Sequence, residues 1–492
     1  MGECGMDFET GCGIAIAALK HFRREAQARS APVVEQTPMA ALMAELDVEH
    51  LIATGIGKED LQRFLGTYLH SSTRLHHPAY MGHQVAVPHP LAAVGALIDA
   101  FINNPMAIYE MGPAATVVEY AILNWMLGKV GWGPMKPPGC AEPSGGLYGG
   151  GVLTHGGSLG NLTALAAARS RIVPNAWNDG TPPNLVIVAP ETGHYSIARA
   201  ASILGLGRKS VKAAPADADG RIIAAELAHC LRALRDGGNV IMAVVANAAS
   251  TAAGLYDPLR DVAEVCRSMD VWLHVDGAHG ASAAITPRYR HLMDGIDLAD
   301  SLVWDAHKML RTPGLCAAVL VRDGTALDDA FEEEASYLFH DKAQRGFDFI
   351  HRTVECTKSA LGLKAFFALA AEGEHGLATY IERQNDLAKA VAAFLNTRSG
   401  LEVATHPESN IVCFRIDGTD QDQLDMRRQL LEAGRHYIST AEYRGRRWLR
   451  LVLMGPDTTM ADVEGLVADI EHAAGQRRAC VSSGAARTAV ES

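Results

Sequence analysis

The chain has 492 residues, 48% hydrophobic and 20% charged, with 47 glycines, a composition that fits a globular protein of about three lobes and excludes a fibre or a disordered chain. Its net charge of −12 argues against a nucleic acid as partner, because a polyanion needs a basic face; an anionic small substrate stays open, since local arginines decide that. No stretch reaches the roughly 18 apolar residues that span a membrane, Glu3, Asp7 and Glu9 give the N-terminus the wrong sign for a secretory signal, and nine cysteines without a CxxC pair read as reduced thiols of a cytoplasmic protein.

In chain order, residues 13–29 and 39–51 read as helices. Residues 74–90 (RLHHPAYMGHQVAVPHP) are rich in His and Pro and read as an ordered irregular loop. His76, His77, His83 and His89 within it fit no compact metal site, so no metal is expected. Helical patterns follow at 91–101 and 114–129, with Pro113 placed to begin the second. After a Gly/Pro-rich connection the texture alternates: helix 161–171, strand 185–189, helix 197–204, strand 240–246, helix 259–268, then strands 271–275, 301–304 and 317–322. Short apolar strands separated by helices imply an α/β fold, a mainly parallel sheet with helices on both faces. Beyond residue 356 a long helical run, 359–396, precedes strand-like segments at 411–416 and 448–453. The division expected is an N-terminal helical segment with a pocket loop (1–104), a large domain (105–356), a small α+β domain (357–478) and a frayed tail (479–492).

The strongest local signal is SLVWDAHKML at 301–310, where an apolar strand ends and delivers His307 and Lys308 at the strand edge that open α/β sheets use for ligands. Upstream, VWLHVDGAHG at 271–280 delivers Asp276 in the same way. A lysine that can form a Schiff base and a carboxylate that can pair with a protonated pyridine nitrogen are what pyridoxal 5'-phosphate (PLP) needs. The stretch VLTHGGSLGNLTALA at 152–166 is a Gly-rich turn running into a helix, where Gly156, Gly157 and Ser158 suit a phosphate. In PETGHYSIARA at 190–200, His194 follows a strand and could stack on a pyridine ring.

Taken in order, this set resembles the group II PLP-dependent amino-acid decarboxylases, which include glutamate, aromatic-amino-acid, cysteine-sulfinate and diaminobutyrate decarboxylases. HVDGAHG looks like that family's HVDAAxGG and WDAHKM like its NPHK, and the likeness runs from about residue 74 to 474. The resemblance implies an aspartate-aminotransferase-like fold and a homodimer with its active site at the interface. It makes Lys308 the Schiff-base lysine and Asp276 the partner of the pyridine nitrogen, with His194 and Ala278 on opposite faces of the ring. Gly157, Ser158 and His307 would hold the phosphate, and Arg450, in WLRLVL, would bind the substrate α-carboxylate. His83 or Gln84 is the candidate polar contact to substrate.

The sequence departs from the family pattern in three places. Asn247 stands where a Thr usually supports the cofactor, though Asn can still donate a hydrogen bond. Ala281 and Ser282 replace a Gly-containing turn. The family's proton-donating tyrosine falls, by position, in 344–351, which holds Phe347 and Phe349 and no tyrosine, the nearest being Tyr337. Either His351, His340 or a residue of a second subunit donates the proton, or decarboxylation diverts into oxygen-dependent deamination to an aldehyde. The expected function is PLP-dependent decarboxylation of a small L-amino acid through a Lys308 Schiff base and a quinonoid, the alternatives being that aldehyde synthesis, another PLP reaction on the same scaffold, or a non-catalytic partner role.

Overall fold

The computed structural model describes residues 6–138, 147–331 and 346–488. Contacts divide the chain into two units: residues 1–83, 387–406 and 411–492 form one, and residues 84–386 with 407–410 form the other. The grouping is discontinuous, so it does not follow the sequential boundaries at 104 and 356. Tyr80 bridges Tyr437 across the sequence, which joins the N-terminal segment to the C-terminal one.

The larger unit carries a seven-stranded sheet. Its strands are β1 (Gly150–Thr154), β2 (Leu185–Ala189), β3 (Val211–Ala213), β4 (Val240–Asn247), β5 (Trp272–Asp276), β6 (Ser301–Asp305) and β7 (Ala317–Val321), in the spatial order β1-β7-β6-β5-β4-β2-β3. The run from β3 through β2, β4 and β5 to β6 is parallel, and β7 pairs antiparallel with both β6 and β1. Every residue of β1, β2, β5, β6 and β7 is buried, as expected of strands covered on both faces, and this is why they read as continuous apolar runs. The expected α/β class with a mainly parallel sheet holds. The sequence does not announce β1 and β3 as strands: β1 opens with two glycines, and β3 has only three residues.

The smaller unit carries β8 (Leu401–Val403), β9 (Ile411–Ile416), β10 (Ser439–Tyr443) and β11 (Arg446–Val452), an antiparallel sheet in the order β10-β11-β9-β8. Phe414, Leu449, Leu451, Met426 and Val463 pack in its core. The helix expected over 39–51 is broken into Met39–Leu46 and Val48–Thr54, because Asp47 takes a left-handed conformation (φ 46°). The run expected over 359–396 is Leu361–Asn396 with an interruption at Gly373, whose φ of 66° is glycine's territory. Of the tail expected to fray from 479, residues up to Thr488 continue the helix Met460–Thr488; its alanines favour helix. Among the described residues, no helix is long and apolar enough to cross a membrane.

Candidate active site

The C-terminal ends of β4, β5 and β6 lie side by side, since Asn247 pairs in register with Asp276 and Asp276 with Val303. These ends, the turn after β1 and the turn after β2 enclose a cavity of about 240 Å³ within the larger unit. Gln84, Gly157, Ser158, His194, Asn247, Asp276, Ala278, His307 and Lys308 all line it. Nine candidate residues, from six separate sequence segments, therefore meet in one place.

Each is held by local chemistry. Asp276 Oδ2 accepts from Asn161 Nδ2 at 2.9 Å and its Oδ1 from the Ala278 amide at 3.2 Å. Lys308 Nζ stands 3.1 Å from Asp305 Oδ2, and the Lys308 amide donates to the Asp305 carbonyl at 3.2 Å. His307 Nδ1 lies 2.8 Å from the Cys316 carbonyl oxygen, which turns Nε2 toward Asp305 Oδ2 at 3.6 Å. Asn247 donates its backbone N–H to Asp257 Oδ2 at 2.6 Å, while its side-chain Nδ2 lies 3.4 Å from Thr192 Oγ1. His194 Nδ1 is 2.8 Å from Ser196 Oγ, and burial, against the pull of Asp276, holds the imidazole below its usual range.

The turn after β1 requires its glycines. Gly156 has φ +102°, and a Cβ on Gly157 would come within 2.7 Å of Asp305 Oδ1. The helix Gly157–Ile172 begins at that turn, four residues before the start read from sequence, with no side chain capping it. Its N-terminal end thus faces the cavity, where an anion is favoured.

Not every candidate joins the group. Phe349 is 1% exposed, packed against the Lys358 ammonium and the ring of Phe347, and Phe347 in turn meets Tyr120 and Arg352. Neither lines the cavity, contrary to their expected place in the substrate pocket; both rings are taken up by an aromatic cluster beside the buried Lys358–Glu119 ion pair. Gln344, Tyr337 and His340 lie outside the described residues. His83 and Arg450 belong to the smaller unit. Arg450 is buried in β11 opposite Ser439 of β10, and Ser439 Oγ donates to the Gly82 carbonyl at 2.6 Å, next to His83. His83 Nε2 is 3.3 Å from the Tyr437 hydroxyl.

The structure also adds residues that sequence reading passed over. Asp305, Asn161, His155, His279 and Thr251 line the cavity. Asp305 stood in plain view two residues before His307. Asn161 could not be found from spacing, because only the packing of its helix on β5 brings it to Asp276. His155 has Nδ1 2.5 Å from Glu355 Oε1 and Nε2 3.1 Å from Ser359 Oγ, partners about 200 residues away in sequence.

Residues 58–417 match the family described as "Pyridoxal-dependent decarboxylase conserved domain". The chain is 31% identical to human (Homo sapiens) cysteine sulfinic acid decarboxylase over 75% of this chain and 73% of that protein. It is 28% identical to an acidic amino acid decarboxylase of Mus musculus over 89% of this chain and 81% of the relative. The crystal structure of mouse CSAD in apo form superposes with a TM-score of 0.84 at 28% identity, covering 94% of this chain and 97% of that one.

Proposed function

The chain belongs to the pyridoxal-dependent decarboxylase family, a PLP-dependent lyase with the aspartate-aminotransferase-like fold, and on that premise we propose that it converts a small acidic L-amino acid to its amine and CO₂. The observation that carries this reading is the convergence of Lys308, Asp276 and the Gly156–Ser158 turn on one cavity. The residues fit the cofactor. A primary amine, a buried carboxylate and a helix N-terminus line the same cavity, and the glycine turn leaves no room for a Cβ beside Asp305.

When bound, PLP supplies an aldehyde that condenses with amines and a ring that takes up the electrons of a bond broken at Cα. Lys308 would hold it covalently, and Gly157, Ser158 and His307 would take the phosphate. Asp276, whose two oxygens are already oriented by Asn161 and the Ala278 amide, would keep the proton on the ring nitrogen. His194 would cover one ring face and Ala278 the other. Asp305 gives the Lys308 ammonium a partner at 3.1 Å whenever the amine is free. Arg450 would bind the substrate α-carboxylate, fixing the bond to be broken across the ring plane.

The acidic substrate class is supported by the relatives named for cysteine sulfinic acid and for acidic amino acids. Amine is the proposed product, in line with relatives that are named as decarboxylases. The test is a panel of cysteine sulfinate, aspartate, glutamate, 2,4-diaminobutyrate and aromatic amino acids, followed for CO₂, amine, aldehyde and peroxide together. Stoichiometric amine from an acidic member without oxygen uptake supports the reading. Turnover confined to aromatic substrates, or peroxide matching CO₂, would overturn it.

A further inference from the structure

Behind the cavity wall runs a series of buried polar side chains. Trp272 Nε1 donates to Ser301 Oγ at 2.8 Å, Ser301 Oγ lies 2.8 Å from His274 Nδ1, and His274 Nε2 lies 2.9 Å from Asn161 Oδ1. Asn161 Nδ2 then reaches both Asp276 Oδ2 at 2.9 Å and Ser196 Oγ at 2.8 Å, and Ser196 Oγ is 2.8 Å from His194 Nδ1.

The directions of these bonds follow from the chemistry of the groups. An ionised carboxylate only accepts, so Asp276 fixes Asn161 with its Nδ2 toward the carboxylate, and Asn161 Oδ1 must accept from His274 Nε2–H. Burial, partly countered by Asp276, pulls His274 down to about 4, so the ring is neutral at pH 7 and its Nδ1 accepts. Ser301 gives its hydroxyl hydrogen to that nitrogen and receives the Trp272 indole N–H, a group that only donates. At the far end, the second amide hydrogen of Asn161 goes to Ser196 Oγ, which leaves the Ser196 hydroxyl hydrogen for His194 Nδ1. The Ser196 backbone N–H points at the same nitrogen from 3.3 Å. Two donors on Nδ1 leave the proton of the His194 ring on Nε2.

We propose that Asn161 is a positioning residue that ties Asp276 and His194 into one unit, and that the one-way chain from Trp272 through Ser301 and His274 holds His194 as the neutral tautomer protonated on Nε2. This rests on the reading of Asp276 and His194 as the cofactor's partners. Protonating His194 on Nδ1 would set a new N–H against both Ser196 donors, so the chain resists the imidazolium even though Asp276 and Asp305 face it along with Lys308 and Arg199. A flat neutral ring can cover a protonated pyridine without charge repulsion. It also cannot serve as the acid that protonates Cα, so that proton comes from another group.

The test uses the holoenzyme. In protein labelled with ¹⁵N-histidine, the His194 signal, identified by its loss in His194→Gln, should show an unprotonated Nδ1 and a protonated Nε2 at pH 7. An imidazolium or the opposite tautomer overturns the proposal. Asn161→Leu should move the pH midpoint of the bound cofactor's visible band by about one unit, roughly the value of one hydrogen bond to a charged group, and lower kcat about 10-fold or more with KM little changed. Ser301→Ala, which breaks the chain without touching Asp276, should shift the same midpoint less, and it decides the matter if Asn161→Leu does not fold. An unmoved midpoint in the variants that fold, while Asp276→Asn does move it, sinks the chain alone. An unmoved midpoint in Asp276→Asn sinks the parent reading.

Discussion

Lys308 shares its cavity with two carboxylates that have different partners. Asp305 is 1% exposed and pairs directly with the lysine, whereas Asp276 is oriented from behind by Asn161 and lines the cavity. On the proposed reading, the second is the one that meets the cationic ring. Replacing Asp276 by Asn should therefore keep the fold and lower kcat by ~100-fold or more, the usual loss when a developing charge loses its stabilising partner. Turnover near that of the wild type would move the electron-sink role elsewhere. At Gly157 a methyl group would meet Asp305 Oδ1 at 2.7 Å. Gly157→Ala should weaken PLP binding to the apoprotein about 10-fold or more, in line with an overpacking cost of about 1–3 kcal/mol; an unchanged dissociation constant in a spectral titration would show that the phosphate sits elsewhere. Asp276 and Lys308 were legible because a strand end and its next few residues are local in sequence. Asn161 and His155 were not, since their meaning lies in partners that only packing supplies.

At the scale of one element, β5 shows how a buried strand can carry polar groups. His274 and Asp276 are two apart and so share a face, and that face meets Asn161 on the helix Gly157–Ile172. The neutral, fully buried His274 has a stability consequence. Its folded-state pKa of about 4 lies below the ordinary 6.5, so its contribution is complete above pH 6.5 and is lost as pH falls toward 4. His77, pulled down to about 4 mainly by burial, acts in the same sense. Asp257, raised from 3.8 to about 6 by burial, has the opposite sign: it favours the folded state below 3.8 and loses that as pH rises through 6. Two histidines outweigh one carboxyl, so the thermal unfolding midpoint should fall steadily between pH 6.5 and 4.5. A flat or rising midpoint would show that these groups are not buried as described. The apolar run of β5 was readable from sequence, and so was Asp276 at its end. The hydrogen-bonded face was not, because a histidine inside an apolar strand says nothing about which helix covers it.

For the whole molecule, order along the chain was readable and grouping in space was not. The alternation from residue 161 to 322 gave the parallel sheet, yet the contact units take residues 1–83 together with 411–492, a union that no composition shift announces. The N-terminal helices leave Ile16, Leu19, Met39, Met43 and Ile52 exposed, and a large exposed apolar patch marks an interaction surface. We propose that they are covered in a homodimer, whose interface should reach about 2,000 Å² or more. Sedimentation at low micromolar concentration should give a dimer, and an active monomer would contradict it. The central claim, that this is a PLP enzyme working through Lys308, is tested most directly by borohydride reduction of the holoenzyme followed by peptide mapping. The cofactor should be fixed on the peptide containing Lys308 and on no other. Label on Lys358 or any other lysine, or none at all, would contradict the account.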